Sequence, residues 1–147
     1  MFKLFFDGAS KGNPGMAGGG GVVICPEGKI EVEYSWNIGV DSNNMVEAYG
    51  LWQGIKQLKA NGVVEATVFG DSRLIIQVLN GASKSRNLRL SRLIKIIKVL
   101  SKSFQRLKFF HILCELNDVA DQAANKSMGL SKNEMSVNII LSSAFPP

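Results

Sequence analysis

Phe2-Lys3-Leu4-Phe5-Phe6-Asp7-Gly8 opens the chain with a short apolar run that stops at an acid and a glycine. A run of this length bounded by turn residues predicts a strand. The segment that follows, Gly8–Gly21, is rich in glycine and contains Pro14, which predicts a flexible turn between two strands. Val22–Cys25 and Ile30–Trp36 are then the second and third strands. In the third, Ile30, Val32, Tyr34 and Trp36 alternate with Glu31, Glu33 and Ser35, so one face is buried and one is wet.

At Asn43 the period changes. Val46, Tyr49, Leu51, Trp52, Ile55 and Leu58 recur at helical spacing, and Asn61-Gly62 supplies a stop. Ala66–Phe69 predicts a strand, Arg73–Leu79 a short helix closed by Asn80-Gly81, and Leu88–Phe104 a longer helix. That helix separates Leu90, Leu93, Ile94, Ile97, Leu100 and Phe104 from Arg92, Lys95, Lys98, Lys102 and Arg106. Leu107–Leu113 predicts a further strand and Asp118–Met128 a final helix. The order β-β-β-α-β-α-α-β-α suits an antiparallel meander continued by parallel crossovers, a mixed α/β sheet of five strands flanked by helices. Residues 1–128 form one domain on this pattern. Residues 129–147 form a C-terminal tail to which the pattern assigns no element.

At 147 residues the chain has the length of one domain and can bury a sizeable core without staples. No apolar run reaches the ~18 residues of a membrane helix, and the N-terminal run is too short for a signal peptide. Cys25 and Cys114 have no metal-ligand spacing and predict free thiols in a reducing, intracellular setting, cytoplasm or nucleus. The net charge is +5 and unevenly spread. From Arg73 to Leu113 there is no acid, while ten bases run from Arg73 to Lys108. Such a block fits a polyanion-binding surface and equally a solvated helix face.

Four acids occupy chemically suggestive places. Asp7 and Asp71 each trail a short strand and open a turn, and the carboxyl ends of neighbouring parallel strands meet in one crevice. Glu47 and Asp121 fall in the first turns of helices. Any one of them would serve as a helix-dipole partner or surface charge. Brought together, four carboxylates repel one another and raise each other's pKa values, which divalent cations relieve. Mg²⁺ favours oxygen ligands shared with a phosphate, and two such ions ~3.5–4 Å apart suit in-line phosphodiester hydrolysis.

The motifs carry a family likeness. Phe5-Phe6-Asp7-Gly8-Ala9-Ser10-Lys11-Gly12-Asn13-Pro14-Gly15 resembles the opening strand and turn of ribonuclease H type I domains. Asn43-Asn44-Met45-Val46-Glu47-Ala48-Tyr49 is similar to their Asn-Asn-x-x-Glu helix start, and Gly70-Asp71-Ser72 to their Asp-Ser turn. The closing segment, with His111, Glu115, Asn117, Ala120, Asp121, Ala124 and Asn125, is most like that of the retroelement, reverse-transcriptase-associated subgroup. The resemblance runs from Phe2 to about Met128 and implies a ribonuclease H-like sheet in the order 3-2-1-4-5. It implies an endonuclease that hydrolyses the RNA strand of RNA–DNA hybrids, with Asp7, Glu47, Asp71 and Asp121 holding two Mg²⁺ ions, for which Mn²⁺ can substitute.

By the same resemblance His111 falls where the family places a mobile histidine that assists proton transfer or product release; a structural histidine ending an apolar strand is the other reading. Gly12, Asn13, Ser42, Asn43 and Asn44 match positions that touch the hybrid, where detection of the 2′-hydroxyl separates RNA from DNA. Asn43 as a helix N-cap and Asn13 as a turn former are compatible with those roles. The sequence departs from the pattern in three places. The link Gly81–Asn87 is too short for the basic helix and loop that many bacterial members insert. Leu113-Cys114 replaces the subgroup's usual Pro-Arg, and Val46 replaces alanine. The isolated domain is expected to be monomeric and free of membranes. The alternatives are a catalytically silent nucleic-acid-binding domain and a relative acting on another nucleic acid.

Overall fold

The computed structural model describes residues 1–12 and 15–140. In chain order it contains β1 (Phe2–Gly12), β2 (Gly15–Ile24), β3 (Ile30–Asp41), α1 (Asn43–Ala60), β4 (Glu65–Gly70), α2 (Arg73–Leu79), α3 (Leu88–Ser101), β5 (Arg106–His111), α4 (Asp118–Lys126) and β6 (Met135–Ile139). Short 3-10 turns, Cys114–Leu116 and Ser127–Gly129, flank α4. The strands form one mixed sheet in the order β5-β4-β1-β2-β3-β6. The expected 3-2-1-4-5 arrangement is present within it, and β6 is an addition. It pairs antiparallel with β3, from Val32↔Ile139 to Trp36↔Met135, so part of the unassigned tail extends the sheet.

The glycine-rich segment departs from expectation. Among the described residues it is paired strand rather than a flexible turn: β1 continues to Gly12 and β2 starts at Gly15, in an unbroken antiparallel register. The glycines serve close packing on both faces. A β-carbon added at Gly19 would lie 2.8 Å from Gly50 Cα in α1, and one at Gly20 would lie 2.5 Å from Ala124 N in α4. Successive strand residues point to opposite faces, so α1 and α4 sandwich β2 from its two sides. Side chains at these positions would hold the helices away from the sheet.

The core lies between the sheet and the helices α1, α2 and α3. Leu4 and Phe6 of β1, Leu51, Ile55 and Leu58 of α1, and Ile75 and Ile97 are all fully buried there. In α3, Leu90, Leu93, Ile94 and Ile97 face this core while Arg92, Lys95 and Lys98 are exposed, as the periodicity predicts. Arg89 is tied instead to the buried Asp41 at the end of β3, through Nη1–Oδ1 at 3.2 Å and Nη2–Oδ2 at 3.0 Å. The helix expected to Phe104 ends at Ser101, and β5 ends at His111 rather than Leu113. Beyond His111 the backbone turns to cap the 3-10 segment, with Leu113 at its N-cap.

Candidate active site

Parallel pairing of β1 with β4 ends at Phe5↔Phe69. Asp7 and Asp71 each lie two residues beyond that row, one within β1 and one just past the end of β4, and this shared offset makes them neighbours. Glu47 reaches them from the N-terminal turns of α1, whose cap is built by Ser42: its hydroxyl accepts a hydrogen bond from Met45 N at 3.4 Å. The cap role that Asn43 could have filled therefore falls to Ser42. One carboxylate oxygen each from Asp7, Glu47 and Asp71 lie within 4.8 Å of one another.

Asp121 is not within that set. It is exposed in α4, yet close enough that its charge contributes to raising the Asp7 pKa. The structure thus brings three of the four expected carboxylates into contact and sets the fourth at the rim.

Burial dominates the electrostatics. Asp7 is 5 % exposed. Desolvation, with the charge of Asp71 adding to it, pushes its pKa up to about 7, while a hydrogen bond to Glu47 and the Gly8 backbone N–H oppose the shift. Gly8 N donates to Asp7 Oδ1 at 2.8 Å. Glu47 is pushed well above the ordinary carboxylate range, first by burial and then by the charge of Asp7. Its Oε2 is buried without a hydrogen-bond partner among the described residues. A buried carboxylate oxygen with no donor is costly unless a cation meets it. The cluster, all oxygen and partly open through Asp71, therefore fits hard divalent cations.

Asn117 carries the most specific contacts around the site. It is 1 % exposed, and its Nδ2 donates to Phe6 O at 2.9 Å and to Asp71 Oδ2 at 3.3 Å. One side chain thus fastens Asp71 to the backbone of β1. Its place in the closing motif was visible in the sequence; its contact partners were not, because they lie 46 and 111 residues away.

The other expected residues are placed less tightly. His111 ends β5 opposite Gly70, next to Asp71 in the neighbouring strand, and is half-buried. Asn43 and Asn44 are exposed at the start of α1. Gly12 ends β1 opposite Gly15. Asn13 lies outside the described residues. Beside the α1 N-terminus a groove of about 670 Å³ runs between Trp36, Asp41, Tyr49, Arg89 and Lys132; it adjoins Ser42 rather than the carboxylates. No helix among the described residues is long and apolar enough to cross a membrane.

Comparison with known proteins agrees with this geometry. Residues 5–127 match the family described as reverse transcriptase-like. A bifunctional protein of Mycobacterium tuberculosis is 33 % identical over 123 residues, covering 83 % of this chain and 34 % of the relative. Ribonuclease HI of Halobacterium salinarum is 32 % identical over 124 residues, covering 84 % of this chain and 62 % of the relative. The chain thus spans about a third of the mycobacterial relative and under two-thirds of the halobacterial one. The crystal structure of RNase H1 from H. salinarum superposes with a TM-score of 0.84 at 30 % identity, covering 87 % of this chain and 97 % of that one. LC11-RNase H1 in complex with an RNA/DNA hybrid superposes at 0.83 with 29 % identity, over 88 % and 97 % of the two chains.

Proposed function

Because the chain belongs to the reverse transcriptase-like family and shares its fold with ribonuclease H1, we propose that it is an endonuclease hydrolysing the RNA strand of RNA–DNA hybrids. The observation that carries this reading is the close set of Asp7, Glu47 and Asp71, with one carboxylate oxygen from each within 4.8 Å of the others, Asp7 buried and the other two half-buried. A fold maintains such a set at a cost in stability, and a function that needs the charges offsets it.

Asp7, Glu47 and Asp71 would hold divalent cations, with Asp121 as the outer ligand and Mg²⁺ or Mn²⁺ as the ions. Two bound ions would lower the pKa of a water and offset charge on the leaving 3′-oxygen. The protein's own residues do the rest. Asn117 keeps Asp71 turned toward Asp7. Burial of Asp7 limits competing solvent at the site. His111, which ends β5 opposite Gly70, would assist proton transfer or product release. Asn43, Asn44 and Ser42, with the backbone at Gly12 and Asn13, would meet the minor groove and its 2′-hydroxyls. The exposed Arg92, Lys95 and Lys98 of α3 are available to phosphates of the duplex, whereas Arg89 is held by Asp41.

Residues 1–128 would form the catalytic unit, active as a single chain because all four carboxylates lie on it. The free thiols Cys25 and Cys114 suit a reducing intracellular compartment. The test is cleavage of labelled RNA paired to DNA with Mg²⁺ or Mn²⁺, beside Asp71→Asn and beside duplex DNA and single strands. Metal-dependent cleavage confined to the hybrid and lost in Asp71→Asn is the expected result. Salt-sensitive hybrid binding without turnover in either metal overturns it in favour of a silent binding domain.

A further inference from the structure

The two edges of the sheet, β5 and β6, are built differently. β5 carries exposed Arg106 and Lys108, and its Phe109 carbonyl accepts a hydrogen bond from Asn80 Nδ2 at 3.1 Å. Charged and covered edges resist pairing with another chain. β6, Met135–Ile139, has no charge and no proline, and all five of its residues are exposed. Its register with β3 is regular, so no bulge turns the edge away. Met135, Val137 and Ile139 share one face, 42, 37 and 49 % exposed, while Ser136 and Asn138 occupy the other. Among the described residues nothing pairs with its outer side.

We propose that β6 is the pairing edge of a two-fold homodimer, in which two sheets join antiparallel through β6 with Val137 at the axis. A two-fold interface must be complementary to itself, residue i meeting j while j meets i. The strand satisfies this by its pattern. Centred on Val137, Met135 faces the partner's Ile139 and Val137 faces the partner's Val137, apolar pairs on one face. Ser136 faces the partner's Asn138 on the other face. A one-residue slip would set apolar against polar positions throughout. No like charges meet along the strand, so nothing in it opposes association. β6 lies beyond residues 5–127, the extent of the family match. Two strands, β2 and β3, separate it from β1, and the joined sheets leave the carboxylates open.

Five paired residues a side bury less than the ~1,200 Å² at which stable interfaces begin, so the dimer is a weak one that forms as concentration rises. Sedimentation velocity on the full chain over a wide concentration range is expected to show mass rising toward twice that of one chain. Val137→Lys, which sets two ammonium groups opposite each other at the axis, is expected to keep the protein single at every concentration with hybrid cleavage unchanged. In a Cys114→Ser background, Val137→Cys is expected to form an interchain disulfide under mild oxidation, because residues facing each other across antiparallel strands stand ~4.5–5.5 Å apart. Met135→Cys, which would face the partner's Ile139, is expected not to. This pair of cysteine variants decides the register even if Val137→Lys perturbs folding. The proposal is overturned if the wild-type chain stays single throughout, which leaves the edge to a strand of another protein. It is equally overturned by a dimer that survives Val137→Lys, or that cross-links through Met135→Cys rather than Val137→Cys.

Discussion

Asp7 and Asp121 hold the same functional group and are both proposed for one metal site, yet the fold treats them in opposite ways. Asp7 sits in the middle of β1, 5 % exposed, with a pKa raised to about 7 by burial and by Asp71. Asp121 stands exposed on α4, across the sheet from α1. On the proposed function, the difference separates two kinds of metal ligand. A buried carboxylate is a fixed ligand whose charge destabilises the empty protein. An exposed one adjusts to its ion and costs the empty fold little, because water screens it.

The largest expected effect breaks the buried side of this comparison. Asp7→Asn should reduce hybrid cleavage by more than the ~10–100-fold typical of losing an outer-shell partner, while raising the melting temperature of metal-free protein. Cleavage kinetics and thermal denaturation in chelator measure both. A variant that keeps its activity would remove Asp7 from the centre.

Next in size is Asn117→Ala, expected to cost about 10–100-fold in turnover through a loosened Asp71. It also leaves the Phe6 carbonyl without its side-chain partner, a loss of ~1–3 kcal/mol in stability. Divalent-ion affinity followed by calorimetry distinguishes the two consequences, since a purely structural role would leave the affinity of the folded variant unchanged.

Asp121→Asn probes the exposed side. Its loss should cost about tenfold, equivalent to ~1.4 kcal/mol of barrier, and should leave the metal-free melting temperature where it was. Equal losses for Asp7→Asn and Asp121→Asn would erase the distinction between fixed and adjustable ligands.

The smallest effect is on stability against pH. The native Asp7 carboxyl stays protonated up to about pH 7, whereas in the unfolded chain it ionises near pH ~4. Between those values the native state holds the extra proton, so metal-free stability falls as pH rises through that window and levels off above it. Melting temperatures across pH 4–8 (roughly the window between the two pKa values) should show this fall in wild type and a flatter profile in Asp7→Asn. Saturating Mg²⁺ should flatten the wild-type curve by neutralising the pair.

Much of this was legible in the sequence, and for identifiable reasons. The Asn43–Ala60 helix and the basic face of α3 follow from local periodicity, which the chain writes within a few residues. Asp71 was legible as a strand-end acid because Asp-Ser follows the end of an apolar run, whereas Asp7, expected to open a turn, lies within β1 and pairs with Gly20. The glycine-rich segment was not, since local propensity favours a turn there and only the helices on both sides explain why glycine belongs in paired strands. β6 was equally hidden: Met135–Ile139 is short and polar at alternate positions, and its strand state depends on β3 offering an edge.

The sequence by itself determined the order of elements, the inward faces of the helices and the carboxylates available to a site, because each depends on neighbours along the chain. Tertiary structure decided which of those carboxylates touch, that Asn117 clamps Asp71 to β1, that Ser42 rather than Asn43 caps α1, and that β6 extends the sheet. Those outcomes join residues far apart in sequence. Their energies come from burial and hydrogen bonds that exist only once the sheet and its helices have closed on one another.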